Sequence, residues 1–503
     1  MADNMRRMTG GGRRAGAVLR FFTGFLLFFL AAGCVAVGPD YERPETDVPQ
    51  SWREGQDPAL VPDRAMTRRW WTVFGDPLLE RLIAEAERDN FDLRRAVARV
   101  REARARLGAA RGEYVPRAEA QGSAQRRRES ENGLMSGGST ETLYGVGVDA
   151  SWELDLFGRI SRSVEAASAD YQASEEDRGD VLVSLYAEVA RTYFNIRTFQ
   201  ARLAAADGNI DSQQKILKLT QSRFRHGLAT GLDVAQAEQV LASSQAEVPP
   251  LRIGLTQAVN TMGVLLGKPP GTLFDELGSP GPIPVPPEQV SVGVPANLLR
   301  QRPDIRRAER QLAAQTARIG IATADLYPSL SLSGSFGFEA VDAGDLFRGG
   351  SKAFGFGPTV RWLIFDGSRV RNQIQVEDAL AEQALYQYEQ SVLNALNEAE
   401  NALTEYLEQR IRLAALERSV QAAQRSLQLA TRLYKDGLVD FQNVLDAQRV
   451  LFDGENQLAA TRGNTVINLV QLYRSLGGGW DPDGPPDALS QGPEDGTQTE
   501  EKF

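Results

Sequence analysis

Apolar residues recur every seven positions along two stretches of the chain. From Leu182 the series runs Val189, Ile196, Leu203, Ile210, Leu217, Phe224. From Val392 it runs Ala399, Tyr406, Leu413, Val420, Leu427, Tyr434, each 210 residues after its counterpart (392 − 182 = 210). A heptad held this long predicts a helix packed in a left-handed supercoil. Companions four residues on read Tyr186, Tyr193, Gln200, Asp207, Gln214, Gln221 in the first copy. In the second they read Leu396, Leu403, Arg410, Glu417, Gln424, Thr431. Both companion series start apolar and turn polar at the same step, which predicts protein on one flank and water on the other. Neither Gly nor Pro occurs from Arg371 to Asp436, and the span from about Ser161 to His226 lacks Pro. Each helix would be about 100 Å long at ~1.5 Å per residue. A globular core cannot cover that length, so neighbours must. Heptads alone leave a plain coiled-coil rod open.

The repeat extends upstream. The run Asp92–Ala96 (DLRRA) recurs as Asp304–Ala308 (DIRRA), and Ala105–Ala110 (ARLGAA) as Ala317–Ala322 (ARIGIA). Both read as amphipathic helices ending before Pro116 and Pro328. There the period changes to two. Leu330, Leu332, Phe336 and Phe338 alternate with Ser329, Ser331, Ser333 and Ser335; Ala118, Ala120 and Ala124 alternate with Arg117, Glu119, Gln121 and Ser123. A second alternating run follows each: Tyr144, Val146, Val148, Ala150, Trp152, Leu154, and then Phe354, Phe356, Val360, Trp362, Ile364. The strands are placed at about 116–125, 143–155, 328–338 and 353–365. One such strand alone reads better as a half-buried strand of a soluble sandwich. Four in a duplicated chain, with aromatic residues near their ends, read as transmembrane β-strands. Four strands cannot close a barrel wide enough for a channel, and an open edge in lipid leaves backbone groups unsatisfied. The barrel must then be completed by further copies in a ring-shaped homo-oligomer. Arg126–Thr142 and Glu339–Lys352, polar and Gly-rich, read as the loops joining each strand pair.

Each long helix ends at a matching turn, Gly227-Leu228-Ala229 and Gly437-Leu438-Val439, and a shorter helix returns to about Gly267 and Gly477. The expected organisation is a signal peptide over 1–33, an N-terminal lipidated extended segment over 34–75 and a first repeat over 76–267. A linker or equatorial belt follows over 268–302, then a second repeat over 303–479 and a disordered tail over 480–503.

Composition narrows the function. The formal net charge of −10 argues against nucleic acid as a partner. One Cys and one His exclude an internal disulfide framework and a multi-His metal site. No catalytic constellation, metal-ligand spacing or phosphate loop is present, so no enzyme, catalytic residue, metal or cofactor is expected. Arg6, Arg7, Arg13, Arg14 and Arg20 precede the apolar run Phe21–Ala32, which reads as a secretory signal. It ends at Gly33-Cys34, similar to a bacterial lipobox with Ala31 where Leu is usual. Cys34 is the expected lipidation site, carrying a covalent lipid such as palmitate, and Val35 favours sorting to the outer membrane.

The chain resembles the TolC-type outer-membrane efflux channels (outer membrane factors), in their lipoprotein branch. The motifs are Gly38-Pro-Asp-Tyr41, Trp70-Trp71 through Phe74-Gly-Asp-Pro77, Ser151-Trp-Glu-Leu-Asp-Leu-Phe-Gly158, Arg302-Pro-Asp-Ile305 and Leu445-Asp-Ala-Gln448. The resemblance implies a mainly α chain with a membrane β-barrel: a homotrimer sharing one barrel, four strands per chain, above a periplasmic tunnel of coiled-coil hairpins. It implies partners too, a periplasmic adaptor (membrane fusion protein), an inner-membrane pump and outer-membrane lipid. The implied role is a passive duct in a tripartite efflux system, barrel-inserted, lipid-anchored and extending into the periplasm. Asp446 matches an inward acidic gate residue and Arg449 a nearby basic one. Asn443 stands where some members have Asp, and Gln442 where others have Leu. Gly227, Leu228, Ala229, Gly437, Leu438 and Val439 match the tips that adaptors contact. An exposed Asp446–Arg449 surface pair is the plainer account of the gate residues. A periplasmic coiled-coil structural or adaptor lipoprotein is the alternative for the whole.

Overall fold

The structure is a computed structural model and describes residues 36–61, 68–128 and 140–481. The expected signal peptide, Cys34 and nearly all of the 480–503 tail lie outside the described residues. In chain order the elements are β1 (Leu60–Val61), α1 (Pro77–Asp89), α2 (Phe91–Gly112), β2 (Arg117–Arg128), β3 (Thr140–Leu154), α3 (Arg159–Arg225), α4 (Gly231–Ala246) and α5 (Val248–Leu265). There follow α6 (Phe274–Leu277), β4 (Val290–Ser291), α7 (Pro295–Gln301), α8 (Pro303–Ala324), β5 (Ser329–Ala340), β6 (Lys352–Arg361), α9 (Arg369–Lys435) and α10 (Phe441–Ser475). They fall into two units. One holds residues 36–43, Ala103–Tyr171 and Arg310–Tyr386; the other holds Pro44–Glu102, Gln172–Glu309 and residues 387–481.

The first unit is built on an antiparallel sheet in the order β2-β3-β5-β6. Its register puts the alternating apolar residues on one face: Ala118 opposite Ala150, Val148 opposite Phe336, Trp152 opposite Leu332 and Phe336 opposite Phe354. The other face carries Glu119 opposite Asp149, Ser151 opposite Ser333 and Ser331 opposite Thr359. Gln121 Nε2 donates to Asp149 across this polar face. The first strand pair runs farther than the alternation indicates. Arg126 pairs with Thr142 and Arg128 with Thr140, so residues expected in a loop are strand. Cross-strand hydrogen bonding overrides a polar sequence there.

The strand-to-helix turns are built alike in both copies. Asp155 accepts from the backbone N–H of Ile160 at 3.0 Å and Ser161 at 2.8 Å. Asp366 accepts from Ser368 at 2.9 Å and Val370 at 2.8 Å. Each carboxylate thus satisfies donors that open a long helix. These bonds, Val370's first, hold Asp366 below its ordinary carboxylate value. Trp152 Nε1 donates to Tyr114 O at 3.0 Å and Trp362 Nε1 to Leu326 O at 3.1 Å, tying each sheet end to the chain entering it.

An N-terminal arm lies against this base. Val37 N donates to Phe157 O at 3.1 Å. The Arg162 guanidinium, in a side chain only 5% exposed, donates to Val37 O at 3.1 Å, Asp40 at 2.7 Å and Glu165 at 2.8 Å. Gly158 turns at φ +80°, where a Cβ would stand 2.6 Å from Ala36 Cα. Glycine is required there both for the left-handed backbone and for the approach of the arm. Tyr41 packs on Ala169, Ala313 and Ala314 beneath Arg310, 5.4 Å from the ring centre.

In the second unit the first three heptad positions of each copy are core. Leu182, Val189, Ile196, Val392, Ala399 and Tyr406 join one cluster with Trp70, Trp71, Phe74, Leu469 and Leu472. Farther along, Leu203 and Leu217 are half-buried and Phe224 is exposed. Gln200 departs from the expected wet flank: it is 4% exposed. Its Nε2 donates to Leu277 O at 2.6 Å and Ser279 O at 2.9 Å, and its Oε1 accepts from Arg197 at 2.8 Å. Arg197 also meets the Tyr193 hydroxyl at 3.1 Å, and that hydroxyl donates to Asp76. Burial, then the Asp76 carboxylate, pushes the Tyr193 phenol up to about 12. This polar seam position therefore holds two linker carbonyls. The segment over 34–75 is also more than extended chain. It contains a 3-10 turn at Trp70–Phe74, and β1 pairs in parallel with β4 of the linker.

The two returning segments differ. The second is one helix, α10; the first breaks into α4 and α5 at Glu247, followed by Pro249 and Pro250. Two prolines at the start of α5 remove N–H groups that have no intrahelical partner at a helix start but would need one in a continuous helix.

Candidate functional site

The turn residues sit where two long helices stop. Gly227 (φ +70°) and Gly437 (φ +75°) are left-handed. Leu228 N donates to Arg223 O at 2.8 Å and Gly227 N to Phe224 O at 3.0 Å. In the second copy Leu438 N donates to Leu433 O at 2.9 Å and Gly437 N to Tyr434 O at 3.1 Å. Both are Schellman endings, which satisfy the last helix carbonyls and throw the next side chain outward. Leu228 is 64% exposed and Leu438 70%, while Ala229 and Val439 are half-buried. The first turn re-enters a helix through a capping box between Thr230 and Asp233, with bonds of 2.7 and 3.2 Å. Asp440, at the matching place in the second, makes no side-chain cap.

Behind the turns the four helices share a small core of Ile216, Ala237, Tyr434, Phe441, Val444 and Leu445. This core fixes which face of α10 stays outside. Phe441, Val444, Leu445, Ala447 and Gln448 are buried, whereas Gln442, Asn443, Asp446 and Arg449 are all exposed. Positions 442, 446 and 449 stack at helical spacing, with Asn443 beside them. Gln442 Nε2 donates to Asp446 Oδ1 at 3.0 Å, and Asn443 Nδ2 reaches Asp440 O at 3.4 Å. The partner of Asp446 is thus Gln442. Among the described residues no ion pair joins Asp446 to Arg449, so the plain surface pair is not formed.

Arg223 is the residue that sequence reading missed. From the end of α3 its Nη1 donates to Lys435 O, at the end of α9, at 2.9 Å, and its guanidinium lies 4.6 Å from the centre of the Tyr434 ring. Tyr434 in turn packs on Phe441, ring centres 5.3 Å apart. One cation therefore joins the two turns and reaches the start of α10. The available signal was a break in the repeat. Arg223 and Phe224 align with Leu433 and Tyr434, a charged-for-apolar exchange at one helix end.

Among the described residues no group of three or more His, Cys, Asp or Glu side chains is placed to hold a metal ion. None of the described helices is long and apolar enough to cross a membrane.

Comparison with known proteins places this architecture. The family described as outer membrane efflux protein matches residues 82–268 and 294–478, the two repeats. Nodulation protein T of Rhizobium leguminosarum bv. trifolii is 32% identical over 468 residues, covering 92% of this chain and 98% of that protein. The cation efflux system protein CusC of Escherichia coli O6:H1 is 32% identical over 461 residues, covering 91% and 98%. The outer-membrane channel OprN superposes with a TM-score of 0.84 at 37% identity, covering 88% of this chain and 99% of that one. The chain belongs to the outer membrane efflux protein family: it is a channel subunit of the outer membrane that extends into the periplasm, works as a trimer and serves a tripartite efflux system with a periplasmic adaptor and an inner-membrane pump.

Proposed function

We propose that Gln442, Asn443, Asp446 and Arg449 form the constriction at the periplasmic end of the duct. The observation that carries this reading is the division of α10, whose first turns bury one face in the four-helix core and leave those four polar residues exposed. A face that its own protomer does not cover is free to line the bore or to meet the same face of another copy. The turns Gly227-Leu228-Ala229 and Gly437-Leu438-Val439 are proposed as the adaptor contacts, on the strength of two exposed leucines presented by equivalent endings. Cys34 is proposed to carry a covalent lipid, on the basic and apolar leader that precedes it. The role needs no bond making or breaking: the chain is not an enzyme and takes no cofactor beyond that lipid. The duct passes what the pump delivers.

Replacing Asp446 with Ala removes a charge and the 3.0 Å bond from Gln442. Single-channel conductance of purified trimers in planar bilayers is expected to rise. Conductance equal to that of the unaltered protein would remove Asp446 from the constriction.

A further inference from the structure

The apolar face of the sheet ends in cations. On β3 it runs from Leu154 to Tyr144, and on β2 the facing residues are Ala118, Ala120, Gly122 and Ala124. The next two β2 residues on the same face are Arg126, opposite Thr142, and Arg128, opposite Thr140. Arg127, between them, is on the polar face opposite Glu141. Arg127 thus shares its face with Glu141, and Arg126 and Arg128 share theirs with Thr142 and Thr140.

Depth decides what these arginines meet. Ten residues separate Leu154 from Tyr144; at ~3.4 Å per residue and a tilt of about 40° they span about 26 Å along the membrane normal, the height of the apolar band of an outer-membrane barrel. Arg126 lies one outward position past the end of that band, about 5 Å farther out by the same geometry. It is on the side away from the helices, since β2 enters from α2 and β3 leaves into α3. With the helices in the periplasm, that side is the outer leaflet. An outward arginine is costly at mid-membrane and nearly free at the interface. At headgroup depth its planar fork matches a phosphate group.

We propose that Arg126 and Arg128 bind the phosphate groups of outer-leaflet lipid headgroups, the phosphorylated glycolipid of the outer membrane. The site is independent of Cys34 and of the duct's gate. Lipid phosphates held there would brace β2, an edge of the sheet within one chain.

The test uses full-length purified trimers in mixed micelles containing either bis-phosphorylated or dephosphorylated lipid A. The reading is the temperature at which the trimer dissociates on a gel. Phosphorylated lipid should raise it for the unaltered protein and for Arg127→Gln, and dephosphorylated lipid should not. The double variant Arg126→Gln, Arg128→Gln should lose most of the rise. An equal rise in the double variant, or an equal rise with dephosphorylated lipid, overturns the proposal. Should the double variant fail to assemble, native mass spectrometry of the unaltered trimer decides. Preferential retention of the phosphorylated form supports the site, and equal retention of both forms overturns it.

Discussion

At the scale of single residues, the periplasmic end depends on a few directed bonds. Arg223 holds the end of α9 through one carbonyl and one ring. A charged hydrogen bond and a cation–π contact at a partly exposed site together contribute about 2 kcal/mol. Arg223→Ala should therefore lower the local opening free energy of the second turn by about that amount. Amide hydrogen exchange at Leu438 would show it, and unchanged protection there would count against the link. Arg223→Lys should recover only part, because an ammonium lacks the guanidinium's planar fork. Such contacts were not legible beforehand. The heptad shows that residue 223 ends a helix, but not which carbonyl, 212 positions away, its head will find. Gln200 teaches the same lesson: its polarity suggested water, and its partners are carbonyls 77 and 79 residues distant. The set on α10 was named through the family resemblance; the structure adds that the buried residues between its members follow the helical period.

At the scale of elements, the two repeats test each other. The first return helix is interrupted at Pro249 and Pro250, and 210 residues on stand Ala459 and Ala460, inside the continuous α10. Ala460→Pro would remove an interior helix bond and clash with the carbonyl four residues back, at a cost of about 3 kcal/mol. Less trimer should then reach the outer membrane, as measured on heat-controlled gels of membrane fractions. An unaltered trimer yield would mean that α10 tolerates the kink its counterpart already has. The duplication, the long helices and the strand alternation were all readable as periods. The 3-10 turn at Trp70–Phe74 and the parallel pairing of β1 with β4 were not. Short elements carry no period, and their stability comes from long-range packing. Strand ends were equally hidden, since Arg126–Arg128 look like loop and pair like strand.

At the scale of the whole molecule, the sheet of one chain has two open edges, β2 and β6. Lipid tolerates neither, so β-structure and trimer should be lost together. Heating purified trimers should make the β-sheet circular dichroism and the trimer band on gels fall with a common midpoint. Monomers that keep the β-signal would contradict closure between copies. The polar face of that sheet has a further property. Gly147 lies opposite Gly337, Gly357 opposite Ser333 and Gly355 opposite Ser335. Along these stretches of β5 and β6 that face is edged by bare peptide and hydroxyls, while Gln121, Glu119 and Asp149 belong to the same rows on β2 and β3. The carboxylates of these rows thus belong to the first strand pair, so the wall that each chain contributes is uneven, anionic along one hairpin and neutral along Ser331–Ser335 and Gly355–Thr359 of the next.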